Sequence, residues 1–394
     1  PESADRARLE LRIHLLMGPL VSAERGNGSD EVEAIYNNAI ALSDAANDGQ
    51  SKFPAYFGLR ACYLARADLK SAHEIGQLLH RSAVANGQAE YLLEANIALA
   101  GSSFFRGEYS AMQTYTDDAW AVYNPAEHAR HAYIYGLEPG SLCLTRKSFA
   151  RWLLGQPDDA LKHMRDALQH VESVSHQLTR AFVYGNCATL CYWLGESERQ
   201  EALSNDALIL AEEFGVGFIR GWSLIQRGNA RVMQGNVPDG LKDIDSGLTV
   251  FDNMTAAGDI RSQLMYSAYV ALIAEAYGQC GDAERGMALI PEAVSHIERT
   301  GARYSEPMIY RVRGELLAML GLHTEARRSF EHSLKIATEK QSPTLALQAS
   351  IGLAGQYRND GSGDPEQLLI SAIAPFAERD EFRDIVRARA LLAA

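Results

Sequence analysis

The chain has 394 residues, 47% of them apolar and 22% charged, a balance that builds a buried core and rules out wholesale disorder. Its 37 lysines and arginines face 50 acidic residues, a formal net charge of −13, and no basic block stands out. Binding to a nucleic-acid backbone needs clustered cations that displace phosphate counterions, so direct nucleic-acid binding is not expected.

Only 12 prolines are present, and alanine, leucine, glutamate and arginine dominate over β-branched clusters, which favours helix over strand. The first predicted element is an amphipathic helix beginning almost at Pro1; a chain opening on proline rather than methionine reads as a piece of something longer. From Asn27 onward one pattern recurs: a small residue, a small or apolar residue five later, and another seven beyond that. In chain order the anchors are Asn27, Ala67, Gly107, Gly155, Gly195, Gly235, Gly281, Gly321 and Gly361, with spacings of 40, 40, 48, 40, 40, 46, 40 and 40. The clearest copies are Gly155…Ala160…Ala167, Gly235…Gly240…Gly247, Gly281…Gly286…Ala293 and Gly321…Ala326…Ser333. Each anchor is expected in the turn of a helical hairpin, where glycine adopts positive φ freely, and the residue five later where the two helices cross. The residue seven before the anchor should then also be small. Ala100, Ser148, Ala188, Gly228, Ala274, Gly314 and Ala354 stand there.

This predicts an all-α fold: one tetratricopeptide-like α-solenoid over 1–394, with eight to nine antiparallel helix pairs in a right-handed superhelix of period about 40 residues. The usual tetratricopeptide repeat is about 34 residues long, so helices or loops are longer here. Extra length is expected near 122–133 and 252–262, and a capping helix over 381–392. The five cysteines, Cys62, Cys143, Cys187, Cys191 and Cys280, are odd in number and mostly sit in apolar helical patterns. That suits reduced thiols in a cytoplasm. No run of 18 apolar residues suggests a membrane span.

Several segments carry a narrower likeness: Tyr135-Gly136-Leu137-Glu138-Pro139-Gly140 with Cys143, Trp152-Leu153-Leu154-Gly155, Arg220-Gly221-Trp222, Ala274-Glu275-Ala276-Tyr277-Gly278 and Arg311-Val312-Arg313-Gly314-Glu315-Leu316-Leu317. From about Arg8 to Ala394 the chain resembles the C-terminal tetratricopeptide-repeat region of bacterial multidomain signalling proteins. Those join a class III adenylate or guanylate cyclase domain, or a winged-helix transcriptional regulator domain, to a predicted ATPase and then to such repeats. The resemblance implies a regulatory or sensor module. Where that family usually has aspartate before the proline, this chain has Glu138.

No phosphate-binding loop, nucleophile–base pair or metal-ligand cluster appears at a recognisable spacing, so neither catalysis nor a cofactor or metal is expected. Gly215-Val216-Gly217-Phe218-Ile219-Arg220-Gly221 is one residue too long for a dinucleotide fingerprint and follows a helix, so it reads as an inter-repeat loop. Cys187 and Cys191 share a helix face, but no partner pair stands near them. Pro139 either breaks a long helix, leaving Tyr135 and Glu138 turned towards a groove, or simply starts one.

Counting back from the anchors to the inner helix positions gives Phe104, Phe105, Phe149, Trp152, Phe182, Tyr192, Trp193, Trp222 and Asn229, followed by the charged Arg311 and Glu315. An aromatic groove on the concave side would take a partner protein, a peptide or a sister domain of a longer chain. The same spacing also suits a tight superhelix that fills its own interior, and both readings stand on the sequence. The alternative function is a small-molecule sensor, enclosing its ligand among Tyr135, Glu138, Tyr184 and Arg220.

Overall fold

The computed structural model describes residues 4–25, 27–46, 48, 51–256, 263–376 and 382–393. Among them there is no strand, and the helices pair as antiparallel hairpins. In order the pairs are α1 (Ala4–Arg25) with α2 (Asp30–Ala45), α3 (Lys52–Ala65) with α4 (Leu69–Asn86), and α5 (Ala89–Arg106) with α6 (Tyr109–Val122). Two short helices, α7 (Pro125–His128) and α8 (His131–Tyr135), occupy the first long interval. Then come α9 (Pro139–Leu153) with α10 (Pro157–Val171), α11 (Gln177–Leu194) with α12 (Ser197–Glu213), and α13 (Gly217–Met233) with α14 (Val237–Ala256). The last pairs are α15 (Tyr266–Gln279) with α16 (Ala283–Thr300), α17 (Glu306–Met319) with α18 (His323–Glu339), and α19 (Pro343–Asp360) with α20 (Pro365–Ile373), followed by α21 (Arg383–Ala393). Most of the second long interval, 257–262, lies outside the described residues.

The period has a direct physical cause. Gly107, Gly155, Gly195, Gly235, Gly281, Gly321 and Gly361 all adopt positive φ, as does Ala67 at 58°. Where the hairpin helices cross, two small residues replace side-chain contact with backbone contact. A Cβ placed on Gly228 would lie 2.5 Å from the carbonyl oxygen of Gly240, and one on Gly286 would lie 2.8 Å from that of Ala274. These are the residues seven before and five after the anchors.

The solenoid also closes on itself. Tyr109 donates its hydroxyl to the carbonyl of Tyr304 at 2.7 Å, across 195 residues. Ser342 donates to the carbonyl of Leu153 at 2.6 Å, across 189, and Thr344 donates to that of Trp152 across 192. One superhelical turn therefore takes about five repeats, and the second turn rests on the hairpin turns of the first. Gly107 meets Lys340 and the carbonyl of Arg303, Gly155 meets Pro343, and Gly195 meets the side chain of Arg383. At the later anchors Gly235, Gly281, Gly321 and Gly361, an added Cβ would meet nothing within 4 Å.

Candidate binding groove

Of the two sequence readings for these aromatics, an open groove or a self-filled interior, their burial fits the second. Phe104, Phe149, Trp152, Trp193, Trp222 and Asn229 are all buried, and Trp152 has no exposed surface at all. Trp152 stacks on Trp193 with centroids 4.8 Å apart, and Phe149 lies 4.6 Å from Trp193. The second superhelical turn supplies the cover: Tyr304 packs 4.6 Å from Phe104, and Met308 and Leu345 join the same cluster. The space left among Phe104, Phe149, Trp193, Trp222, Tyr269 and Tyr304 is about 30 Å³. That is no more than one water's share of liquid volume, so the interior is filled by the chain itself. Phe105 and Phe182 are half-buried against the edges of this core. Asn229 donates to the carbonyl of Leu272 at 3.3 Å and accepts from Gln200 at 3.3 Å, which makes it a strut between repeats.

The expected quartet Tyr135, Glu138, Tyr184 and Arg220 does not converge. Tyr135 packs on Phe57 and His131, Tyr184 donates to Glu172, and the exposed Arg220 lies 3.4 Å from Glu212. Glu138 is the N-cap of α9 with Pro139 at its first turn, the simple helix start among the two sequence readings. Its carboxylate is buried yet accepts five hydrogen bonds: from the backbone of Gly140 and Ser141, and from the side chains of Ser141, Tyr123 and His170. Burial alone would raise its pKa; the donors, led by His170 and the Ser141 hydroxyl, outweigh it and bring the group down to about 2. Gly140 is glycine because the Tyr123 ring lies where a Cβ would be.

A polar opening remains on the inner side of the later repeats. Four successive first helices, α13, α15, α17 and α19, together with α21 enclose about 330 Å³ lined by Met233, Glu275, Arg311, Glu315, Gln348, Arg383, Asp384 and Arg387. Arg311 binds both oxygens of Glu315 at 2.8 Å and those of Glu275 at 3.4 Å, and Tyr192 donates its hydroxyl to Glu275. Burial pushes the Glu275 carboxyl up, but Arg311, Tyr192 and Arg383 together hold it below the usual range. Burial and the neighbouring Glu275 push Glu315 the other way, against Arg311. Gln348 donates to Asp384 at 2.7 Å, while Asp384 also receives Arg383 at 3.1 Å. Arg387 reaches the cavity without a hydrogen bond or ion pair among the described residues, though its charge acts on Glu315.

Tyr192 and Glu315 were thus legible by counting from the anchors, while Arg311 stands ten before Gly321, off the counted positions. Gln348, thirteen before Gly361, is reached by the count as well; the α21 residues are not, because α21 falls outside the period. Met308 stands thirteen before Gly321, the same offset as Phe182 and Trp222, so that count does reach it; Tyr304 has no such signal.

Among the described residues, no helix is long and apolar enough to cross a membrane, and no group of three or more His, Cys, Asp or Glu is placed to hold a metal ion. No family model and no curated protein matches the sequence. Solved structures do resemble it. A Rap protein complexed with Competence and Sporulation Factor aligns with a TM-score of 0.62 at 12% identity, over 88% of this chain and 100% of that one. Aspartyl phosphate phosphatase F from Bacillus subtilis gives 0.48 at 11% identity, over 97% and 98%. A signal-transduction ATPase with a tetratricopeptide repeat sensor from Pyrococcus horikoshii gives 0.41 at 14%, over 88% of this chain and 52% of that one. At these identities the likeness concerns fold, and it rests on the first of the three: the chain is an all-α, tetratricopeptide-like α-solenoid.

Proposed function

We propose that the chain is a non-catalytic, cytoplasmic regulatory module that binds a peptide or a segment of a partner protein in the polar opening beneath α21. The observation that carries this reading is the cavity of about 330 Å³ in which Arg311, Glu275 and Glu315 are locked by one another while Arg387 makes no hydrogen bond among the described residues. Donors and acceptors held in place before binding lose little freedom when a ligand arrives. A main chain with both polar groups and charged ends suits such a surface better than an apolar helix does. The Rap protein of similar fold was solved in complex with Competence and Sporulation Factor, which agrees with a ligand-taking role for this architecture. The sequence resemblance supports a module of bacterial signalling or transcriptional regulators, where the partner would be a sister domain or a separate protein.

The test is selection from a peptide library displayed on phage against the purified chain, followed by binding to Arg387→Glu and Glu315→Gln. Enriched peptides should bind the parent chain and lose at least tenfold in affinity to Arg387→Glu, whose exposed side chain leaves the fold intact. No enrichment, or peptides indifferent to both substitutions, would overturn the reading. The cavity's size also favours a second reading, a small-molecule sensor, since about 300 Å³ is the lower bound of small-ligand pockets. Native mass spectrometry of the chain as purified from cells separates the two by the mass of any retained adduct.

A further inference from the structure

The charges lining the opening beneath α21 cancel. Arg311, Arg383 and Arg387 stand there against Glu275, Glu315 and Asp384, in a chain whose formal net charge is −13. Each acid is engaged: Glu275 and Glu315 by Arg311, and Asp384 by Gln348 and Arg383. Both oxygens of Glu315 accept from Arg311 at 2.8 Å, the contact of an ionised carboxylate. A fully charged group entering this space, of either sign, would leave one charge uncompensated where water is scarce, which is strongly unfavourable.

Hydrogen bonding in the same opening is less complete than charge. Arg311 is 8% exposed, and its Nε is buried with no partner. Arg387 makes no hydrogen bond among the described residues. On the acceptor side, Gln348 gives its Nε2 to Asp384 while its Oε1 accepts nothing among the described residues, and Glu315 accepts from Arg311 alone. Unused donors and unused acceptors therefore line one cavity, with Met233, Leu316 and Ile351 as its apolar wall. Its volume of about 330 Å³ lies at the lower end of ligand pockets, too little for a helix about 10–12 Å across. An extended segment fits instead. Among the uncharged groups of a peptide, the amide carries an acceptor and a donor on separate atoms, whereas a hydroxyl carries both on one.

We infer that the group anchored in the opening is an uncharged amide, the side chain of an asparagine or glutamine in an extended segment. Its carbonyl accepts from Arg311 and Arg387, and its N–H donates to Glu315 or Gln348. This rests on the reading of the opening as a peptide site and narrows it: acidic and basic side chains are disfavoured at the anchor position.

The probes are N-acetyl-glutamine methylamide and its glutamate and lysine counterparts, added to the full chain at equal ionic strength and followed by thermal unfolding. The glutamine compound should raise Tm saturably by roughly 1–2 °C and bind at least about threefold more tightly than either counterpart. Arg387→Gln removes a positive charge from an exposed position and should move the preference to the lysine compound. Glu315→Gln removes a negative charge and should move it to the glutamate compound. The parent chain decides the matter even where a variant fails to fold. A charged compound binding as tightly as the glutamine one overturns the inference, and so does the absence of a saturable rise with the glutamine compound up to about 50 mM. The peptide selection against the whole chain keeps the two readings apart. Enriched peptides that lose affinity to Arg387→Glu yet share an acidic or basic anchor overturn the amide and leave the opening's role standing, whereas no enrichment overturns both.

Discussion

Replacing Glu138 with glutamine removes a buried charge on which five donors converge, and the structure sets the size of the loss. The carboxyl is brought from its ordinary value of 4.5 to about 2, despite burial that acts the other way. At about 1.4 kcal/mol per pH unit this corresponds to roughly 3 kcal/mol of folding stability. The group's folded pKa is depressed, so its contribution is complete above pH 4.5 and is lost as pH falls towards 2. Glu138→Gln keeps the shape and one acceptor, so the expected loss at pH 7 is about 2–3 kcal/mol, narrowing steadily as pH falls from about 4.5 to about 2. Urea unfolding of both chains followed by far-ultraviolet circular dichroism at pH 7, 4 and 3 measures it, and urea adds no ionic strength. If Glu138→Gln stays within about 0.5 kcal/mol of the parent at pH 7, the five hydrogen bonds do not anchor α9 and the reasoning fails. A gap of constant size across the three pH values would show that packing, not charge, is responsible.

Two further outcomes follow from the packing. Trp152→Ala should cost about 3–5 kcal/mol in the same urea experiment, since the ring is wholly buried against Trp193. A cost below about 1 kcal/mol would mean that the tryptophan faces solvent. Gly228→Ala should destabilise by at least about 1–3 kcal/mol, because its methyl would meet the Gly240 carbonyl at 2.5 Å and force α13 from α14. Gly355→Ala is the control: it lies within α19 with nothing inside 4 Å, so it should be neutral or stabilising by up to about 1 kcal/mol. Equal effects from the two substitutions would sink the close-approach argument.

The repeat was legible because its cause is local. A hairpin turn at positive φ and two small residues at the crossing lie within about a dozen positions of one another, so Gly228, Gly235 and Gly240 announce the arrangement directly. The start of α9 was one of two sequence readings for the same reason, since Glu138 caps backbone groups only two and three residues away. What one hairpin does to another five repeats later leaves no such mark. Nothing near Trp152 in the sequence indicates that Thr344 will bond its carbonyl, or that Tyr304 will cover Phe104. Both contacts depend on the pitch of the superhelix, which accumulates from small rotations between repeats.

That pitch also explains why the inner surface divides as it does. Once the second turn rests on Gly107, Gly155 and Gly195, the space inside the early repeats is narrow, and only side chains that lose water readily can fill it. Phe104, Phe149, Trp152 and Trp193 meet that requirement, and no room for a ligand is left among them. Further along, the inner positions carry Glu275, Arg311 and Glu315 instead, and a charged group cannot be packed dry at the same cost. Mutual pairing meets part of that cost, and continued access to water through the opening beneath α21 meets the rest. A filled aromatic half and an open charged half are therefore two results of one geometry. Any partner that enters the superhelix must be recognised by hydrogen bonds and charge, because the apolar surface it would otherwise use is already occupied by the chain.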